Sequence, residues 1–292
     1  MVPSGALSWT EDCKHYEDSS DMPEEIKKYW WQRKDLFRRY DEDIHLTDKA
    51  WFGVTPEPIA QEIAEELARK NYYEEHPPTP RIIVDLFAGA GGNTIAFAQS
   101  GYWDVVIGIE IDAATLACAQ HNARVYGVND RITWIHGDCA DFMHRLKHFP
   151  WTLEPSLQVW RKQPWPNPKP DDKRRFKFSA RTLPLHLADL CRNIQLFASP
   201  PWGGPVYKGA EVLDLDAMEP FGVNALHTMC APLRHALFLP RNGDLKQLAG
   251  LMPNDTEHQL DVVQYCVRGV SKGLVAYYPV EEGYRKHEDK AV

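Results

Sequence analysis

Apolar residues along this chain repeat with two different periods, and the places where the period changes divide it. Between Pro23 and Ile44 the run PEEIKKYWWQRKDLFRRYDEDI sets Ile26, Trp30, Phe37 and Tyr40 at near-helical spacing. Acidic residues come early in it and arginines late, as a helix dipole prefers. Thr55 then stands as an N-cap before a second helix predicted from Pro56 to about Lys70, with the apolar face Ile59, Ile63 and Leu67. The rigid stretch HPPTP at 76–80 separates these helices from a series of short apolar runs. Arg81–Phe87, Asp104–Ile109, Arg131–His136, Asn193–Ala198 and Ala236–Leu239 read as strands, with helices near Asn93–Gln99 and Ala113–Tyr126 between the first three. The closing VVQYCVRGVSKGLVAYYPV reads as two strands about a turn near Gly269–Lys272, hence an antiparallel hairpin.

Strand and helix alternation closed by a hairpin predicts an α/β fold: a doubly wound, Rossmann-like sheet with an antiparallel C-terminal hairpin, preceded by an N-terminal helical arm. The expected divisions are a polar, flexible N-terminus (1–22), the arm (23–76), and the α/β domain (80–285). Within the domain, residues 149–187 are rich in Pro, Trp, Lys and Arg. A connection of that length without structure of its own is uncommon in a compact domain, so this stretch is expected to be a surface insertion.

Charge narrows the function. With 41 acidic and 33 basic residues the net charge is −8, which argues against a long, sequence-independent grip on nucleic acid. A short polyphosphate needs only a few local cations and stays allowed. No apolar run approaches the roughly 18 residues of a membrane span, and the start lacks a leader pattern, so neither membrane insertion nor secretion is expected. The six cysteines form no CxxC pair and read as buried thiols; no metal site is expected.

Two motifs carry chemistry. Asp85-Leu-Phe-Ala-Gly89-Ala-Gly91-Gly92-Asn93 ends the first strand, where glycines let the backbone turn sharply and approach a ligand. A glycine-rich turn alone is weak, since dinucleotide enzymes use similar ones. Here the next strand ends in Gly-Ile-Glu110-Ile-Asp112 and the third in His136-Gly-Asp138, so three acidic residues close three successive strands. That constellation resembles S-adenosylmethionine-dependent methyltransferases, in which Asp85 would take the methionyl ammonium, Glu110 the ribose hydroxyls, and Asp138 the adenine. After the fourth strand comes Ser199-Pro200-Pro201-Trp202. Amino-methyltransferases carry a polar-Pro-Pro-aromatic tetrad at this place. Its prolines stiffen the loop so that a carbonyl and the first polar side chain accept from an exocyclic amine, while the aromatic stacks on the base. Rate then comes from positioning, with no strong general base.

Extended to Ser199-Pro-Pro-Trp202-Gly-Gly-Pro-Val-Tyr207, the second motif resembles the trimethylguanosine synthase family, which methylates N2 of 7-methylguanosine RNA caps. The resemblance runs through Lys28-Tyr-Trp-Trp-Gln-Arg-Lys-Asp-Leu-Phe37, Trp51-Phe-Gly-Val-Thr55-Pro56-Glu57, Asn122-Ala-Arg-Val-Tyr126-Gly and Leu239-Pro240-Arg241-Asn242, spanning about residues 23–280 without the insertion. It implies S-adenosylmethionine as cofactor and S-adenosylhomocysteine as product. Ser199, Pro200 and Trp202 would form the catalytic loop, with Trp202 stacked on the cationic 7-methylguanine. Asn122 would join Ser199 and Pro200 at the guanine edge, and Lys28, Tyr207, Arg241 and Lys272 would meet the cap phosphates. Phe37, Thr55, Asp85, Gly89, Gly91, Asn93, Thr94, Glu110 and Asp138 would form the cofactor site. Small nuclear and small nucleolar RNAs, RNA-processing proteins, and a nuclear, nucleolar or cytoplasmic location follow as expectations.

This chain departs from the family pattern at Gly53, where a small hydroxyl residue is common, and at Glu110, where Asp is common. The basic run Lys173-Arg174-Arg175-Phe-Lys177 of the insertion reads either as a solvated loop or as a contact to RNA beyond the cap. Three rival functions remain at this stage: another exocyclic-amine methyltransferase on adenine or guanine, a cap-binding module without chemistry, and a dinucleotide oxidoreductase. The last would be expected to read GxGxxG where this chain has Gly89-Ala-Gly-Gly-Asn93.

Overall fold

The computed structural model describes residues 4–70, 81–148, 194–202, 211–252 and 260–279. Seven strands form one sheet: β1 (Ile82–Asp85), β2 (Val105–Glu110), β3 (Ile132–His136), β4 (Ile194–Ala198), β5 (Arg234–Leu239), β6 (Asp261–Val267) and β7 (Val270–Tyr278), in the order β3-β2-β1-β4-β5-β7-β6. The first five run parallel, and β7 joins β5 antiparallel with β6 outermost. The expected sheet is thus present, each strand within about two residues of its predicted place. Central strands are buried on both faces, and their side chains alternate between two apolar layers. Ile83 goes to one layer, and Ile82 and Val84 to the other.

Helices α1 (Glu57–Lys70), α2 (Gly92–Ser100) and α3 (Ala113–Val125) cover the first face, with Ile59, Ile63 and Leu67 of α1 buried as predicted. Helices α4 (Cys139–His148), α5 (Val223–Cys230) and α6 (Leu245–Gly250) cover the second. Helix α1 therefore belongs to the domain's own layer and not to a separable arm. The insertion at 149–187 lies outside the described residues.

Two expectations about the N-terminal part need correction. Residues 23–44 are not one helix: they form short turns at Glu24–Lys27, Trp30–Gln32, Arg33–Leu36 and Tyr40–Glu42. The pattern had the right spacing, but Ile26, Phe37, Tyr40, Ile44, Leu46 and Trp51 all enter one core, and a straight helix cannot aim them at a curved surface. Each such side chain contributes about 1.5–3 kcal/mol of burial, so the arm's share rivals the net stability of a whole domain. Residues 4–22, expected to be flexible, are also packed. Ser4 bonds Trp134, Leu7 bonds the Gln120 side chain, Lys14 bridges Leu46, and Tyr16 and Met22 are buried. A few backbone and side-chain contacts thus anchor a segment most of whose polar side chains face solvent. The C-terminal turn is also tighter than expected, at Arg268 and Gly269, both with positive φ, which leaves Lys272 within β7.

Candidate active site

At the carboxyl end of β1 the chain turns through Gly89 (φ +52°) and Gly91 (φ +97°) into α2. Both lie in the left-handed region that favours glycine, and a Cβ at Gly91 would stand 3.1 Å from Ile95 Cδ1. Glu110, closing β2, braces this turn. Its Oε2 accepts from Gly89 N at 2.9 Å and its Oε1 from Asp112 N at 2.9 Å. Each carboxylate oxygen keeps a second lone pair for a hydroxyl.

Beneath the turn, Asp85 is fully buried and accepts from Thr94 Oγ1 at 2.6 Å and Phe87 N at 3.3 Å. Burial, with the Glu110 carboxylate nearby, raises its pKa to about 7. No ion pair reaches it among the described residues. One position before Thr94, Asn93 donates from Nδ2 to Thr55 Oγ1 at 2.8 Å, while its buried Oδ1 has no partner among the described residues. A carboxylate lacking a cation and an amide oxygen lacking a donor thus flank the start of α2. That pair of acceptors fits a ligand ammonium such as the methionyl group's. Asp138 is exposed at the end of β3, where its Oδ1 accepts from Ala140 N at 2.7 Å and opens α4.

The two expected cofactor residues from the arm, Thr55 and Phe37, are both buried. The Thr55 carbonyl comes within 3.4 Å of where a Cβ on Gly92 would sit. Phe37 is buried against the Tyr126 ring, 6.2 Å between centroids. Below it lies a network the sequence reading missed: Glu57 Oε2 accepts from Tyr126 Oη and from Arg38 N, both at 2.6 Å. Nothing in the sequence pattern pairs Glu57 with a residue 69 positions away.

Asn122, which the resemblance sets at the guanine edge, also has a structural task. It is fully buried, donating from Nδ2 to His45 O at 2.9 Å and Ala90 O at 3.0 Å while its Oδ1 accepts from His45 N at 2.9 Å. Its amide is spent tying the arm to the glycine turn, with both N–H donors occupied.

Beyond β4, Pro200 is buried and Ser199 half-buried. Trp202 donates from Nε1 to Phe238 O at 3.2 Å and packs edge-on against the Phe238 ring at 5.3 Å. Phe238 in turn needs Gly273 on β7, where a Cβ would stand 2.5 Å from Phe238 Cε2 and 2.9 Å from Leu239 O. Neither Phe238 nor Gly273 carried a sequence signal.

The expected phosphate-binding cations gather at the same end of the sheet. Arg241, just after β5, donates from Nη1 to Ser271 O at 3.3 Å, and the next residue, Lys272, donates from Nζ to Gln32 Oε1 at 3.1 Å. Lys28 lies one turn earlier on the arm, over the Tyr29 ring. Among the described residues none of the three pairs with a carboxylate, so their charge is uncompensated. Tyr207 lies outside the described residues.

Residues 80–281 match the family described as RNA cap guanine-N2 methyltransferase. The chain belongs to that family. It is 32% identical over 261 residues to a trimethylguanosine synthase of Schizosaccharomyces pombe, covering 88% of this chain and 87% of that one. It is 33% identical over 226 residues to a trimethylguanosine synthase of Saccharomyces cerevisiae, covering 76% of this chain and 56% of that one. A crystal structure from Porphyromonas gingivalis W83 described as a methyltransferase aligns with a TM-score of 0.52 at 14% identity, covering 89% of this chain and 52% of that chain, which shows the fold. As a cap guanine-N2 methyltransferase the chain uses S-adenosylmethionine, and the oxidoreductase alternative falls away. When bound, the cofactor supplies an electrophilic methyl; Glu110, Asp85, Asn93 and the Gly89–Gly91 turn are the residues that fit it.

Proposed function

We propose that this protein methylates N2 of 7-methylguanosine caps on small nuclear and small nucleolar RNAs to give 2,2,7-trimethylguanosine, working in the nucleus and nucleolus and also in the cytoplasm. The observation that carries the cap reading is the chain of contacts Arg241–Ser271–Lys272–Gln32 together with the bond that pins Trp202 to Phe238 O. Three cations without a carboxylate partner among the described residues, counting Lys28, lie on the segments these contacts join, and the Trp202 indole is held by its bond to the Phe238 carbonyl. A cationic purine followed by a polyphosphate is the ligand that such a pair suits. The chain's own groups supply orientation. Trp202 holds the base, the stiff Ser199–Pro200 segment accepts from the exocyclic amine, and the cations hold the phosphate bridge. The amine's proton leaves to solvent as the methyl is transferred. The same site lies at the carboxyl edge of the sheet, where open α/β folds bind ligands.

The deciding experiment supplies labelled S-adenosylmethionine with 7-methylated cap dinucleotide, unmethylated GpppG, or adenine-containing oligonucleotides. Methylation of the first alone is expected, because the cationic ring strengthens stacking on the indole. Equal use of methylated and unmethylated caps, or transfer to adenine, would refute this reading and leave only the family's general chemistry.

A further inference from the structure

On the arm side of α3, three histidines and one acid crowd a single turn. Asp43 follows the Tyr40–Glu42 turn with φ +78°, a left-handed conformation uncommon for a residue with a side chain. His45 Nδ1 lies 3.1 Å from the Asp43 carbonyl oxygen and 3.5 Å from its Oδ1. From α3, His121 Nε2 lies 2.8 Å from the same carbonyl oxygen and 3.1 Å from Oδ2. Trp9 sets its ring edge-on to both imidazoles, 4.5 and 5.0 Å between centroids, and the two imidazoles stand 4.9 Å apart. His15 is occupied elsewhere, bonded to Ile44 O at 2.8 Å and stacked on Tyr40.

We propose that Asp43, His45 and His121 form a binding site for a divalent transition-metal ion of the Zn2+ type, clamping the arm to α3. The ligand atoms of these three residues all lie within 4.8 Å of one another. Bonds of about 2.0–2.2 Å in a tetrahedron put neighbouring ligand atoms roughly 3.3–3.5 Å apart, and each imidazole nitrogen already faces one oxygen of Asp43, His45 Nδ1 to Oδ1 at 3.5 Å and His121 Nε2 to Oδ2 at 3.1 Å. Two imidazole nitrogens and a carboxylate are the donor set for a borderline ion, and they leave one position for water. As the contacts stand, two ring N–H groups share one carbonyl oxygen. Moving each ring proton to the outward nitrogen turns two lone pairs toward the same point without changing net charge. No sequence spacing advertises the site, because 76 residues separate His45 from His121. The inference is independent of the cap reading. Its structural consequence runs through the neighbouring position: Asn122, next to His121, bonds the His45 backbone and the carbonyl of Ala90 in the glycine turn. Metal binding therefore secures the point where arm, α3 and cofactor turn meet.

The test titrates Zn2+ into the chelator-treated full chain by calorimetry, with imidazole nitrogen shifts read by NMR. One ion per chain is expected, with shifts at His45 Nδ1 and His121 Nε2, a melting temperature that rises with free Zn2+, and slower hydrogen exchange over residues 43–47. His45→Gln and His121→Gln, each checked for native circular dichroism, should bind at least about tenfold more weakly, the scale on which even outer-shell losses act. A Cys266→Ser variant should bind as the unaltered chain does, since that exposed thiol is the obvious competitor. Unchanged Zn2+ affinity in both histidine variants, loss of binding in Cys266→Ser, or no binding at millimolar Zn2+ would each overturn the proposal. The last outcome would leave a cluster that only hydrogen-bonds a left-handed residue.

Discussion

The indole Nε1 of Trp202 donates to the carbonyl of Phe238 at 3.2 Å, so the residue expected to stack on the cap is held by the backbone of the neighbouring strand. Gly273, on the strand beyond, decides whether that arrangement exists. A methyl there would stand 2.5 Å from the Phe238 ring and 2.9 Å from the Leu239 carbonyl.

Gly273→Ala is therefore expected to push Phe238 aside and tilt Trp202. Overpacking of this kind costs about 1–3 kcal/mol of stability. Cap affinity and turnover should fall while S-adenosylmethionine affinity stays near that of the unaltered protein, as paired calorimetric titrations would show. A variant with normal cap binding would mean that the indole's setting does not depend on β7.

Trp202→Ala should lose base stacking worth roughly 1–3 kcal/mol in cap binding, again with cofactor binding nearly unchanged. Fluorescence or calorimetric titration with 7-methylated cap reads it directly. Loss of cofactor binding instead would place this indole at the other ligand.

Arg241→Ala should weaken binding of cap triphosphate far more than binding of bare 7-methylguanosine, because a guanidinium fork can engage phosphate oxygens bidentately. Salt dependence should be shallow, with a slope set by about three cations. If a capped RNA of about twenty nucleotides binds much more tightly and with a much steeper slope, further cations act, and Lys173–Lys177 become the candidates.

Asn122→Ala separates two readings of one residue. If it ties the arm to the glycine turn, its loss strands His45 N, His45 O and Ala90 O. Unsatisfied buried groups cost about 1–3 kcal/mol, so the melting temperature and S-adenosylmethionine affinity should both fall. Loss of cap affinity alone, at unchanged stability, would instead put Asn122 at the guanine edge.

Asp85 gives a pH signature. Burial raises its carboxyl to about 7, whereas in the unfolded chain it titrates near 3.9. Between these values the folded protein holds the extra proton. Its contribution to stability is thus complete below about pH 4 and is lost as pH rises through about 7. Asp85→Asn stays neutral throughout, so the melting temperature of the cofactor-free variant, relative to the unaltered protein, should climb from pH 5 to pH 8. S-adenosylmethionine binding should weaken, since the ammonium loses its carboxylate. A pH-independent difference would mean that Asp85 is ionised in the folded protein across this range.

What the sequence determined alone is the local alphabet of the fold. Strand and helix periods, the glycine turn after β1, the acidic strand ends and the Ser199–Trp202 loop are all set by neighbours within a few positions, so each was legible from pattern. It also determined the family, because motif residues sit in order along the chain. The tertiary structure decided everything that depends on partners far apart in sequence. It broke the expected helix of residues 23–44 into turns, since one buried core claims side chains that a straight helix would splay. It drew α1 into the domain's layer and packed residues 4–22 that composition alone read as solvated. It turned Asn122 inward, made Glu57 the anchor of Tyr126, and chose Gly273 and Phe238 as the supports of Trp202. It also brought His45 and His121 to Asp43. Such contacts cannot be read from hydrophobic period, because a hydrogen-bond partner or a ligand is selected by direction and distance in space, and neither is encoded in local spacing.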